Sequence, residues 1–303
     1  MSPVSLRRSY VANSTPSDLV RLAVPNKGRI SVPIMDLLEK SGLHLGESGE
    51  RKLIVKTLDP GVEILFARPI DIPAYVENGA ADIGITGHDM VRERNAAVDE
   101  MLDLQFGKAR LVLAVMEDSP FHQVGDLKGA RIATEFPIIT ETFFAEQGIA
   151  VTIVPVAGAC ELTPHLGVAD AIVDLTSSGT TMRTNNLRIL EEILVTSTQV
   201  IANRTARLQK ADKINEVLLA LESVIRASGQ CYLMMNVQRS ALADVKKTLP
   251  GLSGPTVMEV ASSEDLVAVH AVVDEHCVYQ LINQLKQAGA RDILVMAIER
   301  MIR

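Results

Sequence analysis

The stretch DAIVDLTSSGTTMRTNNL (170–187) has the composition of an anion cradle. An apolar run ends at Asp174, and Thr176, Ser177, Ser178, Gly179, Thr180 and Thr181 follow before a helical pattern begins. Small residues let a backbone approach an anion closely. Hydroxyls and a row of amide N–H groups can then surround a phosphate, and a helix start adds a favourable dipole. An acid at the strand end stands where ribose hydroxyls can donate to it. The loop lacks the GK[ST] element of a P-loop, and the chain has no GxGxxG dinucleotide fingerprint. The same residues also describe an ordinary strand-to-helix turn capped by hydroxyls. The surroundings decide between these readings.

Two further polar groups follow apolar runs. Asn26-Lys27-Gly28-Arg29 comes after LVRLAVP (19–25), and Arg68-Pro69-Ile70-Asp71 comes after VEILFA (62–67). In open α/β sheets, ligands sit outside the carboxyl ends of the strands. Lys27, Arg29 and Arg68 at such ends form a clamp for a polyphosphate through charge-assisted hydrogen bonds. One basic residue there reads as solvated charge, whereas three at equivalent places point to a site. His88, in GITGHDM, either orients Asp89 or has a structural part at a strand end. His122, His165, His270 and His276 show no paired ligand spacing, so no side-chain metal site is assigned.

Alternating elements position these groups. Turn signals at Asp59-Pro60-Gly61 separate LIVKT (53–57) from VEILFA, and a helical pattern carrying Ile34, Leu37 and Leu38 stops at Gly42. ADIGI (81–85), RLVLAV (110–115), RIAT (131–134), VTIVPV (151–156), DAIVDL (170–175) and QVIAN (199–203) read as buried strands with helices between them. This predicts an α/β protein with largely parallel sheets. QKADKINEVLLALESVIRAS (209–228) is the clearest helix, with apolar residues at steps of three and four, and is read as a bridge between domains. Beyond it, CYLMMNV (231–237), a helix through Leu242 and Val245, PTVMEV (255–260), LVAVHAVV (266–273), VYQLINQLKQ (278–287) and DILVMAI (292–298) follow a β-α-β-β-α-β order. That order predicts a ferredoxin-like domain, with Gly289 ending its second helix.

Composition excludes several classes. A length of 303 residues predicts two or three domains at ~100–200 residues each. The net charge of -7 argues against a nucleic-acid surface, and no apolar run is long enough to cross a bilayer. The three cysteines (Cys160, Cys231, Cys277) form no CxxC pair and fit a reducing, cytoplasmic setting. Residues 1–18 hold Arg7, Arg8 and several hydroxyls with no acid before Asp18, a composition shared by organelle transit peptides and solvated tails.

The segments LAVPNKGR (22–29), ARPIDIPAYVENGAADIGITGHDMV (67–91), GACELTPHLGVADAIVDLTSSGTTMRTNNL (158–187), PGLSGPT (250–256) and ARDILVMAI (290–298) together resemble the long-form ATP phosphoribosyltransferases, the family that opens histidine biosynthesis. The resemblance implies a two-lobed catalytic part like the type II periplasmic binding proteins. Lobe I would span about 19–108 plus 196–207, lobe II about 109–195, and a ferredoxin-like, ACT-like regulatory domain 208–303. It implies that Asp174 and Thr176 to Thr181 take phosphoribosyl pyrophosphate. Lys27, Gly28, Arg29, Arg68, Asp71 and Glu161 would serve the ATP side, with Lys27, Arg29, Arg68 and Asp174 as the catalytic set. Mg²⁺ would arrive mainly on substrate phosphates. L-Histidine would bind at Asn236, Thr256 and Val295 and inhibit, although the family commonly shows an acid near the position of Asn236. A homo-oligomer, from dimer to hexamer, without a separate regulatory subunit is the implied assembly. The competing reading is a two-lobed small-molecule sensor without catalysis.

Overall fold

The computed structural model describes residues 19–46, 53–249, 254–261 and 264–302. The N-terminal segment 1–18 and the Pro250-Gly251 turn lie outside them. The chain divides into two compact units, one up to Leu218 and one from Leu219 to Arg303.

The first unit contains two sheets. Its chain begins with β1 (Val20–Pro25), α1 (Ser31–Lys40), β2 (Ile54–Lys56), β3 (Val62–Ala67), α2 (Ile72–Glu77), β4 (Ile83–Gly87), α3 (His88–Arg94) and β5 (Asp99–Asp103). It crosses into β6 (Ala109–Met116), β7 (Arg131–Thr134), α4 (Pro137–Glu146), β8 (Thr152–Pro155), β9 (Ala171–Thr176), α5 (Thr180–Thr184) and β10 (Leu187–Thr196). It then returns through β11 (Thr198–Ala202), α6 (Arg204–Gln209) and α7 (Ala211–Ala227), and the division between units falls inside α7.

The strand orders are β2-β3-β1-β4-β11-β5 and β10-β6-β9-β7-β8, giving two α/β lobes. The sheets are mixed rather than largely parallel. In the first lobe β3-β1-β4 are parallel, while β2, β11 and β5 pair antiparallel. In the second, β9-β7-β8 are parallel and β6 and β10 antiparallel. The crossing strands cause this: β11 re-enters beside β4 against its direction, and the long pair β6 and β10 runs to and from the other lobe. Central β1 has Leu22, Ala23 and Val24 fully buried, as expected of a strand covered on both faces. The second lobe packs Leu111, Leu113, Ile132, Val173 and Phe144 into one core.

The second unit adds β12 (Gln230–Gln238), α8 (Leu242–Thr248), β13 (Thr256–Glu259), β14 (Leu266–Asp274), α9 (Val278–Gln287) and β15 (Ala290–Ala297). Its antiparallel sheet runs β13-β14-β12-β15, the ferredoxin-like arrangement that the sequence predicts. Leu281 and Leu285 on α9 close over Leu233, Met235 and Val267. Gly289, with φ +99, follows the helix end as a left-handed residue.

Candidate active site

Parallel register brings the first set of groups together. Pro25 on β1 pairs with Ala67 on β3, so the Asn26–Arg29 and Arg68–Asp71 turns leave the sheet at the same end. Arg68 Nε donates to Asp71 Oδ2 at 2.6 Å, and Arg94 Nη2 lies 3.4 Å from Asp71 Oδ1. Asp71 therefore holds Arg68, while the Arg68 guanidinium stays largely open to solvent. Arg29 Nη2 donates to the Gly107 carbonyl at 2.9 Å. Lys27 is exposed on the same turn, beside Gly28 at φ +98.

The same logic builds the second lobe's contribution. Thr134 on β7 is level with Val173 on β9 and with Pro155 on β8. One residue beyond this level stand Glu135, after β7, and Asp174, still within β9, while Glu161 follows the 156–160 turn after β8. Cys160 Sγ donates to the Ala133 carbonyl at 3.2 Å, anchoring that turn. Burial raises the Asp174 carboxyl to about 6, and the negative charges of Glu135 and Glu161 add to the effect. The Leu175 N–H, donating to Asp174 Oδ1 at 2.7 Å, opposes it. Glu135 is a functional candidate that the sequence reading passed over. Its signal was available, since it directly follows the apolar strand RIAT.

The 176–181 loop is self-braced. The Gly179 N–H donates to Thr176 Oγ1 at 2.9 Å, Ser178 Oγ and Thr180 Oγ1 lie 2.9 Å apart, and Gly179 adopts φ +73. Thr176 is buried, whereas Ser177, Ser178, Thr180 and Thr181 are exposed. The helix that follows is one short turn of 5 residues, so the loop offers amides and hydroxyls rather than a long helix dipole. Arg183 joins the loop unexpectedly: its Nη2 donates to Thr180 Oγ1 at 3.3 Å. Its three-residue spacing from Thr180 was the sequence signal for that contact.

His88 does not orient Asp89. Its Nδ1 pairs with Glu100 Oε2 at 2.8 Å, whereas Asp89 Oδ1 accepts the Thr196 hydroxyl at 2.7 Å. Among the described residues no three His, Cys, Asp or Glu side chains are placed to hold a metal ion. No described helix is long and apolar enough to cross a membrane.

In the second unit Asn236 Nδ2 donates to Asp292 Oδ2 at 3.0 Å. An acid thus stands beside the amide after all, brought there by the pairing of β12 with β15. Thr256 pairs with His270, which faces Met234, and so shares the Asn236 face of the sheet. Val295 pairs with the buried Leu233 and belongs to the opposite face. The unit therefore brings Asn236 and Asp292 together but does not converge Asn236, Thr256 and Val295 on one point.

Residues 68–223 match the family model of "ATP phosphoribosyltransferase", and residues 227–300 match that of "HisG, C-terminal domain". The chain belongs to the ATP phosphoribosyltransferase family. It is 54% identical to the ATP phosphoribosyltransferase of Methanocella arvoryzae over 285 residues, covering 94% of this chain and 100% of that one. Identity to the Methanosarcina barkeri enzyme of the same name is 52% over 289 residues, with the same coverages. Among solved structures, the "ATP phosphoribosyl transferase (HisG:HisZ) complex from Thermotoga maritima" superposes with a TM-score of 0.62 at 32% identity, covering 69% of this chain and 99% of that chain. The chain is accordingly an enzyme of the transferase class, and the family's place in histidine biosynthesis comes with it.

Proposed function

We propose that the enzyme transfers the 5-phosphoribosyl group of phosphoribosyl pyrophosphate to N1 of the adenine of ATP, releasing pyrophosphate. One observation carries this reading: Gly28 and Arg29 of the basic strand ends share a cavity with Leu175, the residue between Asp174 and the 176–181 loop. The two half-sites therefore adjoin.

In this reading Thr176 to Thr181 cradle the 5-phosphate through hydroxyls and amides, helped by Arg183. Asp174, as a carboxylate, accepts the ribose hydroxyls. Lys27, Arg29 and Arg68 hold the triphosphate of ATP, with Asp71 fixing the Arg68 fork. The adenine N1 lone pair forms the new bond to the anomeric carbon as the bond to pyrophosphate breaks, and the configuration inverts. No protein nucleophile is needed. The enzyme's contribution is alignment and electrostatic stabilisation of the charge that grows on the leaving oxygen.

Mg²⁺ fits the site in part. Glu135, Glu161 and Asp174 offer the oxygen donors that a hard cation takes, but they form no closed cage. Asp174 and Glu161 are the side chains that would hold the ion, the remaining positions going to substrate phosphates and water. Bound there, Mg²⁺ would neutralise the departing pyrophosphate.

The unit that matches the C-terminal family model is the histidine sensor of this reading, with Asn236 and Asp292 receiving the ligand's amino group and Thr256 as a further contact on the same sheet face. Its presence on the same chain supports feedback inhibition without a separate regulatory subunit, in a homo-oligomer of two to six copies. Catalysis is assigned to 19–207 and sensing to 208–303. Three free cysteines among the described residues, one of them exposed, fit a cytoplasmic enzyme.

The test is turnover. Purified protein is mixed with ATP, phosphoribosyl pyrophosphate and Mg²⁺, and phosphoribosyl-ATP is detected by mass, with and without histidine. Product that falls on adding histidine supports both halves. Folded protein that binds both substrates and yields no product overturns the catalytic reading in favour of a sensor.

A further inference from the structure

The single helical turn that closes the phosphate loop is too short to hold itself. α5 has 5 residues, and its first two, Thr180 and Thr181, belong to the loop. So short a helix fixes many dihedrals for few hydrogen bonds. Its inner face is held by Met182, which is 1% exposed and packs with Cys160 and Ala169. Its end is held by Asn185, whose backbone N–H and Nδ2 both donate to the Thr181 carbonyl, at 3.2 and 2.9 Å. Asn185 is in turn fixed from a separate segment: His165 Nε2 donates to its carbonyl at 2.9 Å. A carbonyl only accepts, so Nε2 carries the proton, and the bond forms with a neutral or a protonated ring.

His165 stands on an anchored stretch of chain. At its start Cys160 Sγ donates to the Ala133 carbonyl, and Thr163 Oγ1 donates to the Cys160 carbonyl at 2.8 Å. At its end Arg131 Nη1 donates to the Gly167 carbonyl at 2.8 Å. Arg131 and Ala133 both belong to β7, so the stretch is tied at each end to a central strand of the lobe. The same stretch carries Glu161. His165 is itself exposed, so the fold gains little from it as packing. Its contact acts locally, joining the segment of Glu161 to the far end of the phosphate loop.

We propose that His165 is a positioning residue for the sugar phosphate, acting through Asn185 to fix the amides and hydroxyls of Thr180 and Thr181. This rests on the phosphoribosyl-transfer reading and refines it. Without the bond the end of α5 frays, and the loop must be ordered each time the phosphate binds. That ordering is subtracted from the binding free energy of phosphoribosyl pyrophosphate and leaves ATP, held by the other lobe, untouched.

The test is steady-state kinetics on the full chain with Mg²⁺, each substrate varied while the other saturates. His165→Ala is expected to raise KM for phosphoribosyl pyrophosphate about fivefold, the scale of one net hydrogen bond, with KM for ATP unchanged. The melting temperature should stay within about a degree of wild type, as for other exposed positions. His165→Gln places an amide N–H near the position of Nε2 and should restore the wild-type constant. His165→Asn carries the same amide on a shorter stem and should behave like His165→Ala. An unchanged KM in His165→Ala, an equal rise for both substrates, or a Gln variant no better than Ala overturns the assignment. A folded wild type that gives no turnover overturns the underlying reaction reading instead.

Discussion

Glu93 on α3 of the first lobe caps α4 of the second: its Oε1 and Oε2 accept the N–H groups of Ile138 and Ile139, each at 3.1 Å. Only 7% of Glu93 is exposed, and burial raises its carboxyl above the usual range against the pull of those two amides. The orphan N–H groups at the start of α4 are thus satisfied across the lobe boundary rather than by a local cap. On the same helix, Asp89 accepts the Thr196 hydroxyl at the end of β10. Glu93→Ala should destabilise the first unit by about 1–2 kcal/mol, the scale of a lost N-cap. Calorimetry should show a melting temperature lower by a few degrees. An unchanged melting curve would show that water replaces the carboxylate at no cost.

Burial of the Asp174 carboxyl makes stability depend on pH. Its folded-state carboxyl titrates at about 6 against an ordinary 3.8, so the fold favours the proton. That contribution is fully present below about pH 4 and is lost as pH rises through 6. Above pH 6 the free enzyme bears the cost of a buried anion, on the order of 1–3 kcal/mol. Asp174→Asn should therefore melt a few degrees above wild type at pH 8 and show no gain at pH 4, while kcat falls at least about a hundredfold. Equal melting temperatures at both pH values would contradict the burial argument.

Arg183 should act on one substrate. Its guanidinium bonds Thr180 Oγ1 and would lie 3.4 Å from a Cβ on Gly179, close to the space over the phosphate loop. Arg183→Ala is expected to raise KM for phosphoribosyl pyrophosphate about tenfold, with KM for ATP within about twofold of wild type. That corresponds to roughly 1.4 kcal/mol of lost binding. A rise in the ATP constant alone would move Arg183 out of the sugar-phosphate site.

Arg68 should show the complementary pattern. The Asp71 carboxylate orients it, and most of its side chain is solvent-exposed, so Arg68→Ala should leave the melting temperature within about a degree of wild type. KM for ATP should increase about tenfold or more. Asp71→Asn is expected to produce a weaker version of the same defect by releasing the guanidinium.

The proposed histidine sensing rests on the Asn236–Asp292 pair. Asp292→Asn retains hydrogen bonding and removes the charge, and it should raise the half-inhibitory histidine concentration about tenfold with turnover intact. Steady-state inhibition curves for the two proteins decide this. Superimposed curves would place the ligand's amino group elsewhere.

Much of this was local and therefore readable from the chain. Residues such as Leu22–Val24 and Ile172–Val173 had to be interior strands because apolar runs that short, bounded by turns, have nowhere else to go. The period of α7 and the β-α-β-β-α-β order of the last third were equally legible. So was the Asp174–Thr181 loop, whose chemistry lies in consecutive residues. The strands that sequence reading missed were β5 and β10, with Asp-Glu-Met-Leu-Asp in one and the Glu191-Glu192 pair in the other. Both lie at sheet edges, where one side faces water and alternation is not required.

Pairing decided the rest, because register is a relation between distant segments. The parallel alignment of β7 with β9 sets Thr134 level with Val173, one residue before Glu135 and Asp174, and nothing near either acid in the sequence says so. Asp292 reaches Asn236 only through the β12–β15 ladder, 56 residues away. Glu93 finds the amides of α4 only once two lobes have closed around the crossing strands. The sequence alone determined which groups were on hand for phosphate and ribose. The tertiary structure decided which of them meet, since burial and hydrogen-bond satisfaction are properties of the packed whole.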